Sequence, residues 1–334
     1  MSEFVIVAKE VLAVYLIVAA GAVLRVVGWL KPEADASVMK FVAFLLIPCL
    51  FFSKVVGDPK YTHFVDVVAP VSVGFGTTVL GFVLAGVVAY GLRRAVALPT
   101  PEHRSAFTLC TGMYNYGYLP LPLADALYPA ATLLATVATT QGNRDSTVPT
   151  MMVHNVGVEF ALWTVGIVII SGGLAKGWWV HLFNPPAVAI ACAVAINMLG
   201  ADAYVPYVVT KATTDLGRCA IPVGLLVTGA VMLDLLRSMK WHHGLNTLFT
   251  ASVLRMGILP VLFLLLARYM PVSVELKRVI MLQAAMPAAM FPVVVTRLYK
   301  QDTETAVRVV AGTAIIGMAT IPLWIWAGRW YLDV

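Results

Sequence analysis

The sequence predicts an all-α polytopic membrane protein of ten transmembrane helices. They form a five-plus-five inverted repeat in which the fourth and ninth helices are broken. Three observations carry that reading. Hydrophobic residues make up 60% of the 334-residue chain and charged residues only 12%, against about a quarter charged in soluble domains. Apolar runs of about twenty residues, the length that spans a bilayer as a helix, recur from end to end. Helix-breaking prolines recur within those runs at an interval of five.

The first run, Phe4–Val27, follows an acidic opening, "MSEFVIVAKE", without the basic region or cleavage site of a signal peptide, so it is expected to remain as a helix. The second, Ser37–Val56, carries "LIPCLFF", and the third is Val67–Leu92. The fourth extends from Glu102 through "YNYGYLPLPL" to Tyr128, and the fifth is Val148–Ser171. After "LFNPP" come Pro186–Leu199, Tyr207–Leu236, Thr247–Tyr269, Leu276–Tyr299 and Ala306–Trp330. Short polar turns separate the runs and leave no room for a soluble domain. Ala130–Thr150, rich in Ala and Thr, reads as an extension of the fourth helix plus a loop. Residues 1–175 form the first repeat and 176–334 the second.

A formal charge of +6 comes from arginines and lysines in the turns, with no basic stripe interleaved with aromatics, so a nucleic-acid partner is excluded. About twelve basic residues fall on one side and about nine on the other, and the pair Arg93–Arg94 lies on the richer side. That bias places both termini on the outer side of the cell membrane. Cys49, Cys110, Cys192 and Cys219 sit inside the runs at unrelated spacings, as packing residues do, and no metal site is expected.

The breakers pair across the repeat. Pro48 interrupts the second run and Pro222 the seventh; Pro70 lies in the third and Pro260 in the eighth. The fourth breaks between Asn115 and Pro122, with Gly117 and Pro120 between them, and the ninth reads "LQAAMPAAMFPVVV", with Gln283, Pro287 and Pro292. Five is odd, so the two halves enter the membrane with opposite topology. Inverted repeats with paired broken helices point to a secondary transporter's midplane site. A break frees backbone groups that hydrocarbon does not tolerate, so they must face protein or a wet cavity. Half-helices starting there aim amide N–H groups and a positive dipole end at it, which favours an anion. Asn115 and Gln283 add neutral donors.

Ionisable residues at membrane depth are functional candidates. His154, Asn155 and Glu159 lie in the fifth run within "VHNVGVEFALW". Glu159 is either a proton-coupling group or a carboxylate hydrogen-bonded to a neighbouring helix, and His154 reads as a packing histidine. Arg255 either draws anions toward the cavity or, the preferred reading, pairs with Asp125 or Glu159; Asp215 is expected to pair with Arg218, which shares its helix face. Asp66 and Asp234 lie near helix ends.

The chain resembles the auxin efflux carrier family over nearly its whole length. "KFVAFLLIPCLFF" is similar to that family's second helix and "NYGYLPLPL" to its fourth. "LFNPPAVAIACAV", "VLRMGILP" and "LQAAMPAAMFPVVVTRLY" resemble the sixth, eighth and ninth. The resemblance implies a fold shared with bile-acid symporter-like and sodium/proton antiporter-like proteins. In it, helices three to five and eight to ten form a mobile transport domain, and helices one, two, six and seven a scaffold that makes the homodimer contact. It also implies a crossing near Pro122 and Pro292, Asn115 near a substrate carboxylate, and Pro48 and Phe51 on the scaffold side of the pocket. Asn155 and Arg255 fit the family pattern. Pro120 stands where the family usually has glycine.

These features imply a carrier for small organic anions such as auxin-like or malate- and malonate-like acids, embedded in lipid. Sodium or a proton is the candidate coupling ion, with uniport as the third option, and no cofactor is expected. The runner-up is an anion channel or a membrane sensor without coupled transport. An intramembrane enzyme has little support, because no HExxH, GxSxG or paired catalytic aspartates occur. His154 and Glu159 also diverge by about 140° around their helix.

Overall fold

The computed structural model describes residues 3–128, 145–173, 178–238 and 244–334, and the regular elements among them are helices. In chain order these are α1 (Glu3–Val26), α2 (Pro32–Val55), α3 (Phe64–Gly91), α4 (Pro101–Gly112), α5 (Pro120–Leu127) and α6 (Thr147–Ser171). Then follow α7 (Pro185–Met198), α8 (Tyr207–Ser238), α9 (Leu245–Tyr269), α10 (Val274–Ala285), α11 (Phe291–Leu298) and α12 (Thr303–Leu332). Seven of them, all but α4, α5, α7, α10 and α11, are long and apolar enough to cross a membrane. Large apolar side chains such as Leu16, Val87, Phe249 and Leu298 remain exposed on their outer faces. Water would penalise such patches, whereas lipid covers them. The chain is a multi-pass membrane protein. The expectation for Ala130–Thr150 falls mostly on residues 129–144, which lie outside the described residues; Thr147–Thr150 begin α6.

α4 and α5 are the two pieces of the fourth run, and α10 and α11 those of the ninth. The breaks span residues 113–119 and 286–290. Pro122 therefore lies inside α5 rather than in the break, and Pro120 is its first residue. Proline suits that position, since its missing N–H would be an orphan there and its φ is already helical.

The second and seventh runs are not interrupted, contrary to the sequence reading. α8 continues through Pro222, and α2 continues past Pro48 behind a π-helical turn at Val42–Leu46. A proline deletes one helical hydrogen bond and crowds the carbonyl four residues earlier. A wider turn upstream relieves that crowding. α9 uses the same device, with a π-helical turn at Leu254–Ile258 before Pro260. The Met256 carbonyl, which would have accepted from residue 260, instead accepts from Trp324 Nε1 on α12 at 2.6 Å.

Small residues set the closest packing. α3 lies against α6 and α4, α1 against α8, and α2 against α8 and α7. At the α3–α6 contact each helix contributes a glycine to the other's backbone. A Cβ on Gly157 would stand 1.9 Å from the Val71 carbonyl oxygen, and one on Gly74 would stand 2.1 Å from that of His154. Such spacing is the membrane form of tight helix association.

Gly157→Ala is therefore expected to destabilise the protein by roughly 1–3 kcal/mol, as overpacking does, despite alanine's better helix propensity. Gly76→Ala, on the same helix pair but with nothing within 4 Å of its Cβ, is the control and should melt with the parent. Thermal unfolding in detergent reads both.

Candidate functional site

The two breaks meet. Tyr114 and Ala288 form an isolated antiparallel bridge. The Asn115 amide donates to the Pro287 carbonyl at 2.8 Å, and the Ala289 amide donates to the Met113 carbonyl at 3.0 Å. Ala288 N–H donates to Thr313 Oγ1 of α12 at 3.2 Å. Backbone that left the helix at each break is thus paired partly by the other break and partly by side chains of α6, α9, α10 and α12.

Carboxamides gather on the Tyr116 carbonyl. Asn155 Nδ2 donates to it at 2.7 Å and Gln283 Nε2 at 3.4 Å, while Gln283 Nε2 also reaches Asn155 Oδ1 at 3.2 Å. Gln283 Oε1 is buried with no partner among the described residues. Asn115 is 8% exposed, and its carboxamide makes no hydrogen bond among the described residues. His154 is fully buried, with Nδ1 3.4 Å from Asn155 Oδ1 and its ring beside Tyr114, and Nε2 lacks a described partner.

Two tyrosines that the sequence reading did not single out anchor the first break. Tyr114 is fully buried and shares hydrogen bonds with Thr77 and Thr78 of α3 at 3.0 and 3.3 Å. The Tyr116 hydroxyl donates to Glu159 Oε1, whose other oxygen accepts from Trp163 Nε1 at 2.9 Å. The signal for them was present in "YNYGY", since a phenol at membrane depth needs a partner.

Arg255 corrects an expectation. It pairs with neither Asp125 nor Glu159. Its Nε donates to the Met286 carbonyl at 3.0 Å, and Nη2 lies 3.3 and 3.4 Å from the Gln283 and Ala284 carbonyls. The guanidinium sits 5.4 Å from the Tyr114 ring centroid and 5.5 Å from that of Phe263. These carbonyls lie where α10 stops, at the negative end of its dipole; the Gln283 carbonyl also accepts from the Met286 amide at 3.2 Å, and the fixed cation supplies the further donors. Asp125 pairs instead with Lys54 at 2.6 Å, at the end of α2. Asp215 pairs with Lys211 rather than Arg218, because four-residue spacing lets the flexible lysine lie along the helix ridge.

Pro48 and Phe51 lie in the second half of α2, Phe51 buried and Pro48 half-buried. No hydrogen bond or ring contact among the described residues joins either to the crossing. The prolines also thin the half-helix donors. In the first turn of α5, Pro120 and Pro122 have no N–H, and the Leu121 amide is already donated to Gly117 at 3.2 Å. In α11, Pro292 has none and Val293 donates to Met290 at 3.0 Å. The first turns of both half-helices therefore offer few free N–H donors.

A family model described as membrane transport protein matches residues 6–177 and 173–325. An uncharacterized transporter of Methanocaldococcus jannaschii is 22% identical over 320 residues, which cover 95% of this chain and 97% of that relative.

Arg255→Met strips the α10 end of its donors and is expected to cost about 2–4 kcal/mol in unfolding measurements. Arg255→Lys should recover only part of that, because a single ammonium lacks the planar fork that spans neighbouring carbonyls. Equal melting of Arg255→Met and the parent would remove the capping role.

Proposed function

The chain belongs to the membrane transport protein family and is a membrane transporter, and from that premise we propose that it is a secondary carrier for small organic anions, carboxylates of the auxin-like or malate- and malonate-like kind. The observation that carries this reading is the pair of breaks bonded to each other at Met113–Asn115 and Pro287–Ala289, ringed by the carboxamides of Asn155 and Gln283. The Asn155 and Gln283 amides hold the Tyr116 carbonyl, and the unengaged carboxamide of Asn115 supplies the neutral donor, so an anion is bound and released without a permanent ion pair.

In this reading α4 with α5, and α10 with α11, each count as one broken transmembrane helix. Ten helices then form the five-plus-five inverted repeat of residues 1–175 and 176–334. α3–α6 and α9–α12 make the transport domain, and α1, α2, α7 and α8 the scaffold and dimer contact. The transport domain moves as an elevator, because its two breaks share hydrogen bonds and neither shifts alone. Asn115, with its unengaged carboxamide, is the first contact for the substrate carboxylate. Gly117, Gln283, Pro287 and the half-helix starts at Pro120–Pro122 and Pro292 shape the surrounding pocket. Pro48 and Phe51 face it from the scaffold. The protein sits in the cell membrane with both termini outside.

Of the two coupling ions, the proton is better supported. Arg255 already takes the carbonyls of Gln283, Ala284 and Met286, leaving sodium fewer ligands at that break. Glu159 is the protonatable group tied to the first break through Tyr116.

Purified protein in liposomes should show saturable carboxylate flux, reduced by about tenfold or more in Asn115→Ala, the loss of one charge-assisted hydrogen bond. Flux that rises without saturation would indicate a channel instead. Glu159→Gln should flatten the pH dependence of transport; an unchanged profile would end the proton-coupling proposal.

A further inference from the structure

A polar cavity lies where helices end on the side that carries Arg93 and Arg94. Its volume is about 910 Å3, and four arginines line it, Arg93, Arg94, Arg104 and Arg308, with His103 and two carboxylates, Asp302 and Glu304. Both carboxylates are already engaged. Glu304 accepts from Arg308 at 2.7 Å, and Asp302 caps α12 by accepting from the Thr305 amide at 2.7 Å, with His103 Nε2 at 3.9 Å. His103 Nδ1 in turn lies 2.8 Å from Thr100 Oγ1.

Three guanidinium groups remain. Arg93 and Arg94 are exposed and make no ion pair among the described residues. Arg104 stacks over Tyr90 at 5.0 Å and has a buried Nε with no described partner. The turn that presents Arg93 and Arg94 is pinned from α9: Asn246 Nδ2 donates to the Ala95 carbonyl at 3.1 Å, and Thr247 Oγ1 to that of Val96 at 2.7 Å. Gly244 lets Arg308 close the far wall, because a Cβ there would stand 2.4 Å from Arg308 Nη1. The cationic wall is thus held in place rather than carried on a loose loop.

We propose that this cavity is a binding site for a phosphate group. A planar guanidinium offers paired N–H donors that match phosphate oxygens, and three of them converge here without internal counter-ions. The cavity also lies at the level where α3 ends and α4, α9 and α12 begin, the depth of lipid headgroups. The phosphate belongs either to an acidic lipid or to a soluble anion. This site is independent of the crossing and of whichever substrate the crossing carries.

The test is thermal unfolding of the detergent-purified, delipidated full chain at constant ionic strength. Inorganic phosphate and dioctanoyl phosphatidylglycerol are titrated separately, with chloride as the reference. A saturable rise in melting temperature with either supports the site. Stabilisation by the acylated compound alone assigns a lipid headgroup, and stabilisation by both assigns the phosphate itself. The Arg93→Gln/Arg94→Gln double variant, altered only at exposed positions, should melt like the parent without ligand and bind about tenfold or more weakly. Arg104→Gln should weaken binding as well. No saturable shift with either compound, or a double variant that binds as tightly as the parent, would overturn the proposal.

Discussion

Backbone amides have no water to turn to inside a bilayer, and the two hydrogen bonds between residues 113–115 and 287–289 are how this chain meets that constraint. Each break is tied to the other by these bonds. Everything around the crossing follows from leaving as few groups unpaired as possible. Asn155 and Gln283 converge on the Tyr116 carbonyl, Thr313 takes the Ala288 amide, and Arg255 closes the end of α10. What is left over is the Gln283 Oε1 acceptor, buried without a partner among the described residues, and the Asn115 carboxamide, which makes no hydrogen bond among them.

The same constraint explains how the rest of the bundle carries its prolines. Pro260 would orphan the Met256 carbonyl, and Trp324 supplies the missing donor from a neighbouring helix. Pro48 sits behind a π-helical turn that absorbs its steric demand. Glycines at the α3–α6 contact bring the two backbones close enough for Tyr114 and His154 to pack ring to ring behind the break.

Much of this was legible in the sequence. The apolar runs match the helices to within a few residues, because bilayer thickness dictates run length whatever the tertiary context. The first break is legible in the clustered Asn, Gly and Pro of "YNYGYLPLPL" and the second in Gln283, Pro287 and Pro292. Pro48 and Pro222 were overread as interruptions, since a proline in isolation does not say whether its orphaned carbonyl finds a donor. Arg255 was noticed as an ionisable residue at depth, but its partners are main-chain carbonyls, which have no signature in side-chain identities. Tyr114 and Tyr116 were passed over beside the more conspicuous Asn115, although their hydroxyls do as much to hold the break.

Residue-resolved hydrogen exchange across 113–119 and 286–290 tests the mutual pairing of the breaks most directly. The expected result is slow exchange at the Asn115 and Ala289 amides, comparable to the flanking helices, with faster exchange at Tyr116, whose amide has no backbone partner among the described residues. Rapid, equal exchange at all three would mean that the two breaks are solvated separately, and would contradict the crossing as the element on which the structure depends.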